Sequence, residues 1–159
     1  MLYLGQKAPI MKNLSFVVLI LLTACSTTKE ILNENLKQYE ETVNIPGKSK
    51  NDLYLQVNTW FVESFRSAES VIEFSDKEAG RIIGKYVFTY GKSLIRSVIQ
   101  VDVKDEAYKI SFKSPLIKNT GQDIDYRNVK TNASLEIINK EWKALSASFK
   151  EYISRTDNW

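Results

Sequence analysis

Histidine is absent from this chain of 159 residues, and cysteine occurs once, at Cys25. Without histidine, the chain cannot form a Ser-His-Asp or Cys-His nucleophile pair. One cysteine forms no intrachain disulfide and, without histidine, no zinc site of Cys and His ligands. Glycine and proline are scarce, at 6 and 3 residues, and 43% of the residues are hydrophobic. The composition therefore predicts one globular domain, with no cofactor, no metal site and no catalytic residue that a motif would assign.

The chain also lacks a strong excess of charge of one sign. The formal net charge is +3, from 22 basic and 19 acidic residues. Lys7 and Lys12 precede Cys25 and no acidic residue does, so the remainder carries 20 minus 19, or +1. A nearly neutral domain has no broad basic footprint for a phosphate backbone, and we expect no nucleic-acid binding.

The N-terminal segment has the organisation of an export signal. Lys12 precedes an apolar run over residues 14–22, which is shorter than the roughly 20 residues that a bilayer-spanning helix needs. The run ends in Leu-Thr-Ala-Cys, which resembles the lipobox of bacterial lipoprotein signals, where the cysteine thiol accepts a diacylglyceryl group. This resemblance implies a signal peptide over residues 1–24, with a true start possible at Met11, and lipidation at Cys25.

The residues around the lipidated cysteine indicate where the protein lies. Ser26, not an aspartate, follows the cysteine. By resemblance to the sorting rules of Gram-negative lipoproteins, this implies an outer-membrane lipoprotein, in either the periplasmic or the surface-facing leaflet. Residues 25–37 are interpreted as the lipidated cysteine and a polar tether, whose last twelve residues span at most about 40 Å. A single domain is then predicted over residues 38–159.

Hydrophobic periodicity predicts the element order β-α-β-β-β-β-α within that domain. Residues 39–45 alternate as a strand does, and apolar residues at steps of three and four indicate helices over residues 50–67 and 133–153. Further strands are predicted at residues 71–74, 81–90, 94–103 and 108–113. Residues 114–131 show no regular pattern. The short connections between strands favour an antiparallel sheet, of about five strands, with both helices packed on one face.

The side of this sheet that faces the helices is predicted to form an aromatic and aliphatic core. Its members are Tyr86, Phe88, Ile99, Val101 and Ile110 from the strands, with Trp60 and Trp142 from the helices.

Residues of the first helix and the following hairpin resemble a known family. Trp60-Phe61 is followed by the run Val71-Ile72-Glu73-Phe74-Ser75-Asp76-Lys77-Glu78-Ala79-Gly80-Arg81-Ile82-Ile83-Gly84-Lys85. The part from Asp76 to Gly84 is the specific one. It is similar to a bacterial domain of unknown function with a TATA-binding-protein-like fold, which occurs in secreted proteins and lipoproteins of Gram-negative bacteria. The resemblance covers residues 39–112 well and the last helix by position only. It implies an α+β fold and no particular activity.

Acidic residues offer candidate sites with structural alternatives. The segment Asp76–Gly80 suits either a loop with paired carboxylates or a charged hairpin turn, and we favour the turn. Two acidic sets are candidates for calcium, although neither has the spacing of a calcium loop. They are Asp102 with Asp105 and Glu106, and Asp123 with Asp125.

The sheet face away from the helices carries an unexplained apolar row. It consists of Ile83, Val87, Leu94 and Val98, interleaved with Lys85, Thr89, Arg96 and Gln100. Two helices on one side leave this face open, and exposed apolar rows with polar neighbours mark interaction surfaces. The alternative is that the tether or residues 114–131 cover it, and both interpretations stay open at this point.

These observations favour a binding or assembly module over an enzyme. We expect membrane attachment through the lipid, with recognition of an unknown protein or envelope ligand through the sheet face or a sheet edge. The alternative is a small envelope hydrolase that uses a carboxylate pair, as glycosidases do.

Overall fold

The structure, a computed structural model, describes residues 31–65 and 72–155. The predicted signal peptide and Cys25 lie outside these residues. Two α-helices follow a short 3-10 helix at Glu34–Lys37: α1 spans Lys50–Ser64 and α2 spans Asn132–Ser154. The strands are β1 Gln38–Asn44, β2 Ile72–Asp76, β3 Arg81–Tyr90, β4 Ser93–Lys104, β5 Ala107–Asn119 and β6 Arg127–Asn128. In the described part of the chain, neither helix is long and apolar enough to cross a membrane.

All strands join one antiparallel sheet, in the order β1-β5-β4-β3-β2. Strands β2 to β5 follow one another through tight turns, so each pairs with its neighbour in sequence. β1 pairs with the first half of β5, and the two-residue β6 pairs with the second half. The α+β class and the two-helix layer are confirmed, with six strands where about five were expected.

Both helices pack on one face of the sheet, and the core lies between these two layers. Trp60 of α1 and Trp142 of α2 are 2% and 0% exposed, and Ile99, Val101 and Ile110 are fully buried. The predicted core is therefore confirmed at its centre. Tyr86 and Phe88 also face the helices and pack against the core, but they are only partly buried.

Residues 114–131, which have no regular sequence pattern, are in part a strand. β5 continues to Asn119 through a bulge, since β4 pairs with Lys113 before it and with Leu116 after it. Ser114 in the bulge has φ 54°, and the extra residue reverses the alternation of the strand. The buried Pro115 lies between the residues that pair with β1 and those that pair with β6, where its missing N–H breaks no ladder bond.

Helix α1 ends at Ser64, three residues before the predicted end at residue 67. Phe65 leaves helical dihedral angles, and its ring packs 5.1 Å from Trp60 and 5.5 Å from Tyr86. This core contact ends the helix although the apolar spacing continues. The folded unit also begins before residue 38, because Leu32 and Leu36 pack against the core.

Candidate functional site

The open face, defined here as the side of the sheet away from both helices, contains the four residues of the predicted row. Strand pairing places Ile83 opposite Gln100, Val87 opposite Arg96, Leu94 opposite Thr89, and Val98 opposite Lys85. Directly paired residues of an antiparallel sheet point to the same side. Ile83, Val87, Leu94 and Val98 are therefore brought together on one surface, where each is half-buried.

The polar segment after β5 contacts the open face at one end. The Arg96 guanidinium lies 4.2 Å from the centre of the Tyr126 ring, and the Lys118 ammonium lies 5.8 Å from it. Both contacts are within the range of cation–π attraction. β6 extends the sheet beside β5 and does not form a layer over it. The segment therefore covers one corner of the face through Tyr126.

Charge is distributed unevenly across the three central strands. Every charged side chain of β3, β4 and β5 lies on the open face, and only one of them is acidic, Asp102. The basic ones are Arg81, Lys85, Arg96, Lys104, Lys109, Lys113 and Lys118. The edge strands add the carboxylates Glu40, Glu73 and Asp76. Seven cations against four carboxylates give the face +3, whereas the chain after Cys25 has only +1.

Three ion pairs neutralise part of this charge, at both edge strands and at one end of β3 and β4, and leave a basic region on β4 and β5. Arg81 Nε donates to Asp102 Oδ1 at 2.6 Å, Lys85 pairs with Glu73, and Lys109 lies 3.6 Å from Glu40. Among residues 31–65 and 72–155, four cations of this face have no ion-pair partner: Arg96, Lys104, Lys113 and Lys118. Lys104 lies apart at the end of β4, and we call the other three residues, Arg96, Lys113 and Lys118, the cationic patch. Sequence reasoning missed it, although the lysines at alternate positions of β5 carry the signal.

A cleft of about 690 Å³ borders the cationic patch where β5 passes from β1 to β6. Three lysines line it, Lys37, Lys113 and Lys130, and its one carboxylate, Glu34, pairs with Lys37 at 2.5 Å. Leu32 also lines this cleft, so the chain enters the folded domain beside Lys113. The arrangement suits an anionic group.

Two further clefts lie along the same sheet. One, of about 850 Å³, contains Glu40 as its acidic residue, and the other, of about 290 Å³, contains Asp102. Each of these carboxylates has an ion-pair partner. The three clefts thus hold one carboxylate each, whereas glycosidase chemistry needs two that face the same bond.

The segment Asp76–Gly80 forms a hairpin turn between β2 and β3, and structural contacts account for its residues. Asp76 Oδ1 accepts from the backbone N–H of Ala79 at 2.9 Å. Gly80 has φ 69°, and a Cβ added there would lie 2.5 Å from the carbonyl oxygen of Val103. The turn interpretation therefore explains both the acidic residue and the glycine.

The candidate calcium ligands make separate contacts with the backbone. Asp105 Oδ1 accepts from the N–H of Lys50 at the start of α1, and Glu106 Oε1 accepts from the N–H of Gly47. Asp123 accepts from the N–H of Asn119 and from Arg127. In the described residues these carboxylates form no group of three around a common point.

A polar cluster on the helix side of the sheet joins β1 to α2. The Ser146 hydroxyl donates to Glu41 Oε2 at 2.7 Å, and the Tyr39 hydroxyl donates to the same oxygen at 2.9 Å. The bond from Ser146 lowers the pKa of Glu41 most, because it stabilises the ionised carboxylate. Burial and the bond to Glu41 raise the pKa of Tyr39. This cluster connects two layers of the fold and lies away from the open face.

Two solved structures share this architecture. One is a TBP-like protein from Parabacteroides distasonis ATCC 8503, with a TM-score of 0.62 and 16% identity, covering 76% of this chain and 94% of that one. The other is a DUF4468 family protein from Bacteroides ovatus ATCC 8483, with a TM-score of 0.55 and 16% identity, covering 77% of this chain and 88% of that one. At this identity the likeness establishes the fold alone. No curated protein matches the chain significantly.

The fold is therefore an α+β fold of the TBP-like class. Residues 39–117 match the family described as a domain of unknown function (DUF4468) with TBP-like fold, and the chain carries this domain. The match runs from β1 into the second half of β5, so it includes the central strands of the open face. The resemblance seen in the sequence is confirmed for the domain and its fold.

Proposed function

We propose that the protein is a lipoprotein of the bacterial outer membrane, anchored through Cys25, and that it acts as a non-enzymatic binding or assembly module. The observation that carries this proposal is the open face. Both helices lie on the opposite side of the sheet, and the face combines an apolar row with four basic residues that lack ion-pair partners among the described residues. Surfaces of this composition are typical of interaction sites. The partner is an envelope protein or another envelope ligand.

Anchoring is tested by mass spectrometry of the native protein from a membrane fraction. We expect a mature chain that begins at Cys25 and carries acyl chains on that residue. Two acyl chains hold a protein stably, at about 0.8 kcal/mol for each buried CH₂ group. The Cys25→Ala variant is the control and should stay unprocessed and unacylated. An unmodified Cys25 within a longer soluble chain would contradict the proposal.

The binding role is tested by photocross-linking in cells. A photoreactive phenylalanine analogue replaces Val98, which lies on the open face, or Ala144, which is exposed on the outer side of α2. We expect cross-linking from position 98, to an envelope protein or to a lipid, that is absent from position 144. Cross-links from position 144 alone would assign binding to the helix layer and overturn this use of the open face.

A further inference from the structure

We infer that the open face of the anchored domain docks on a membrane surface that carries anionic headgroups. This inference rests on the proposed anchoring at Cys25 and specifies the ligand of the open face. Three independent observations carry it: the position of the unpaired cations, the shape of the surface they occupy, and the point at which the tether enters the domain.

The cationic patch lies on the neighbouring strands β4 and β5 and extends from the middle of the face toward the end at Tyr126. Lys113 pairs across the sheet with Val98, and Arg96 pairs with Leu116. The carboxylates of the face lie on the edge strands or pair with Arg81. The patch thus presents positive charge that no described carboxylate neutralises, and negative charge is its complement. Each basic residue close to an anionic membrane contributes about fivefold to surface partitioning.

The shape of the surface favours an array of charges over one small anion. Adjacent strands lie about 4.8 Å apart, so the cations of neighbouring strands form a spread array on the sheet. Arg96 and Lys118 lie outside the three clefts described above. The half-buried Val87, Leu94 and Val98 stand between these cations. Apolar side chains among basic residues suit the boundary between headgroups and acyl chains.

The path of the chain favours a membrane over a dissolved acidic partner. From Cys25 to Leu32 the chain spans at most about 25 Å. Leu32 and Lys113 line the same cleft, so the tether enters the domain next to the cationic patch. Acylation at Cys25 therefore keeps Lys113, and with it the cationic patch, within reach of the headgroups. Electrostatic attraction at physiological salt acts over about 8 Å.

The test measures lysine accessibility on vesicles. The acylated protein is purified from membranes and reconstituted into vesicles of phosphatidylcholine alone, or with about 30% phosphatidylglycerol. A short pulse of an amine-acetylating reagent is quantified at each lysine by mass spectrometry. On the anionic vesicles we expect labelling of Lys113 and Lys118 to slow about threefold or more, and labelling of Lys140, exposed on α2, to stay unchanged. About 1 M salt should remove the difference.

Matched variants test whether the protection of the lysines depends on the cationic patch. Arg96→Glu reverses the central charge and should abolish at least about half of the protection at Lys113 and Lys118. Lys140→Glu is the control and should leave that protection intact. The melting temperature of each variant verifies that it is folded.

The outcomes separate this inference from the proposed function. Equal labelling on both vesicle types, with the protein still bound, overturns docking and leaves the anchor in place. A protein that washes off both vesicle types overturns the anchor and docking together. A protein that binds only anionic vesicles supports docking and contradicts anchoring. Protection by an added acidic peptide, without protection on anionic vesicles, would contradict docking on a membrane and would indicate an acidic protein as the partner.

Discussion

The indole N–H of Trp142 donates a hydrogen bond to the hydroxyl of Ser97 at 3.1 Å, in the middle of the core. Both residues are almost completely buried, at 0% and 1% exposure. Ser97 is the one polar residue on the helix side of β4 between Ile95 and Val103. Its hydroxyl satisfies a donor that would otherwise be buried without a partner, and it fixes the position of α2 on the sheet.

Ser97→Ala is expected to lower the free energy of unfolding by about 1–3 kcal/mol, because it leaves the indole N–H unpaired in the core. Trp142→Ala should cost about 3–5 kcal/mol, since it also leaves a cavity. Ser111→Ala, on the open face, is the control and should stay within about 0.5 kcal/mol of wild type. Urea unfolding followed by fluorescence measures all three. Equal costs for Ser97→Ala and Ser111→Ala would show that the indole bond contributes nothing.

Gly80→Ala is expected to destabilise the domain far more than Gly91→Ala. Both glycines have positive φ, 69° and 58°, so both variants incur the same class of backbone strain, about 1 kcal/mol or more. At Gly80 the new Cβ also collides with the backbone oxygen of Val103, whereas nothing lies within 4 Å of a Cβ at Gly91. Thermal unfolding of the two variants isolates the collision. A larger loss at Gly91 would contradict the close packing of the two loops.

The strand and helix pattern could be predicted because one side of each element is consistently apolar. In β4, residues 95, 97, 99, 101 and 103 are all buried, and the bounds of β3 agree with the predicted residues 81–90. The second half of β5 could not be predicted from periodicity. The bulge at Ser114 changes which alternate positions face the core. Phe112 and Ile117 both face the core, although they are five residues apart and a regular strand requires an even spacing.

The apolar row of the candidate site could also be predicted, whereas its charge could not be evaluated from the sequence. The net charge of the sequence does not reveal that cations and carboxylates are separated on the open face, because the carboxylates that balance the lysines of β5 lie on other elements. Which lysine is paired depends on strand order. Lys109 meets Glu40 only because β1 returns to pair with β5, and Lys113 faces Gln38 in the same pairing.

The bond from Ser146 to Glu41 predicts an acid-dependent contribution to stability. The folded state lowers the pKa of Glu41 below the ordinary value of a glutamate, because the carboxylate accepts the bond from Ser146. A carboxyl with a lowered pKa contributes stability that is present above its unfolded pKa and is lost as the pH falls through the folded pKa. The stability difference between wild type and Ser146→Ala should therefore shrink as the pH falls below about 4.3.

Urea unfolding at several pH values between about 7 and 2 measures this dependence. Glu41→Gln removes the titrating group and should show a flatter decline in stability with acid than wild type does. Ser148→Ala, exposed on α2, serves as the control. A constant difference between wild type and Ser146→Ala over this range would mean that the serine acts through packing alone.

Charge substitutions at adjacent residues of β4 distinguish an open face from a second core. Val98 is half-buried on the open face, and the next residue, Ile99, is 0% exposed under the helices. Val98→Glu leaves the new carboxylate in contact with water and between Lys85 and Lys113, so we expect a stability change within about 1 kcal/mol. Ile99→Glu buries an unpaired charge and should unfold the domain or lower its stability by more than about 4 kcal/mol. Circular dichroism during thermal unfolding measures both variants. Unfolding by Val98→Glu comparable to that by Ile99→Glu would mean that the open face is covered in the native protein, and binding through this face would then be excluded.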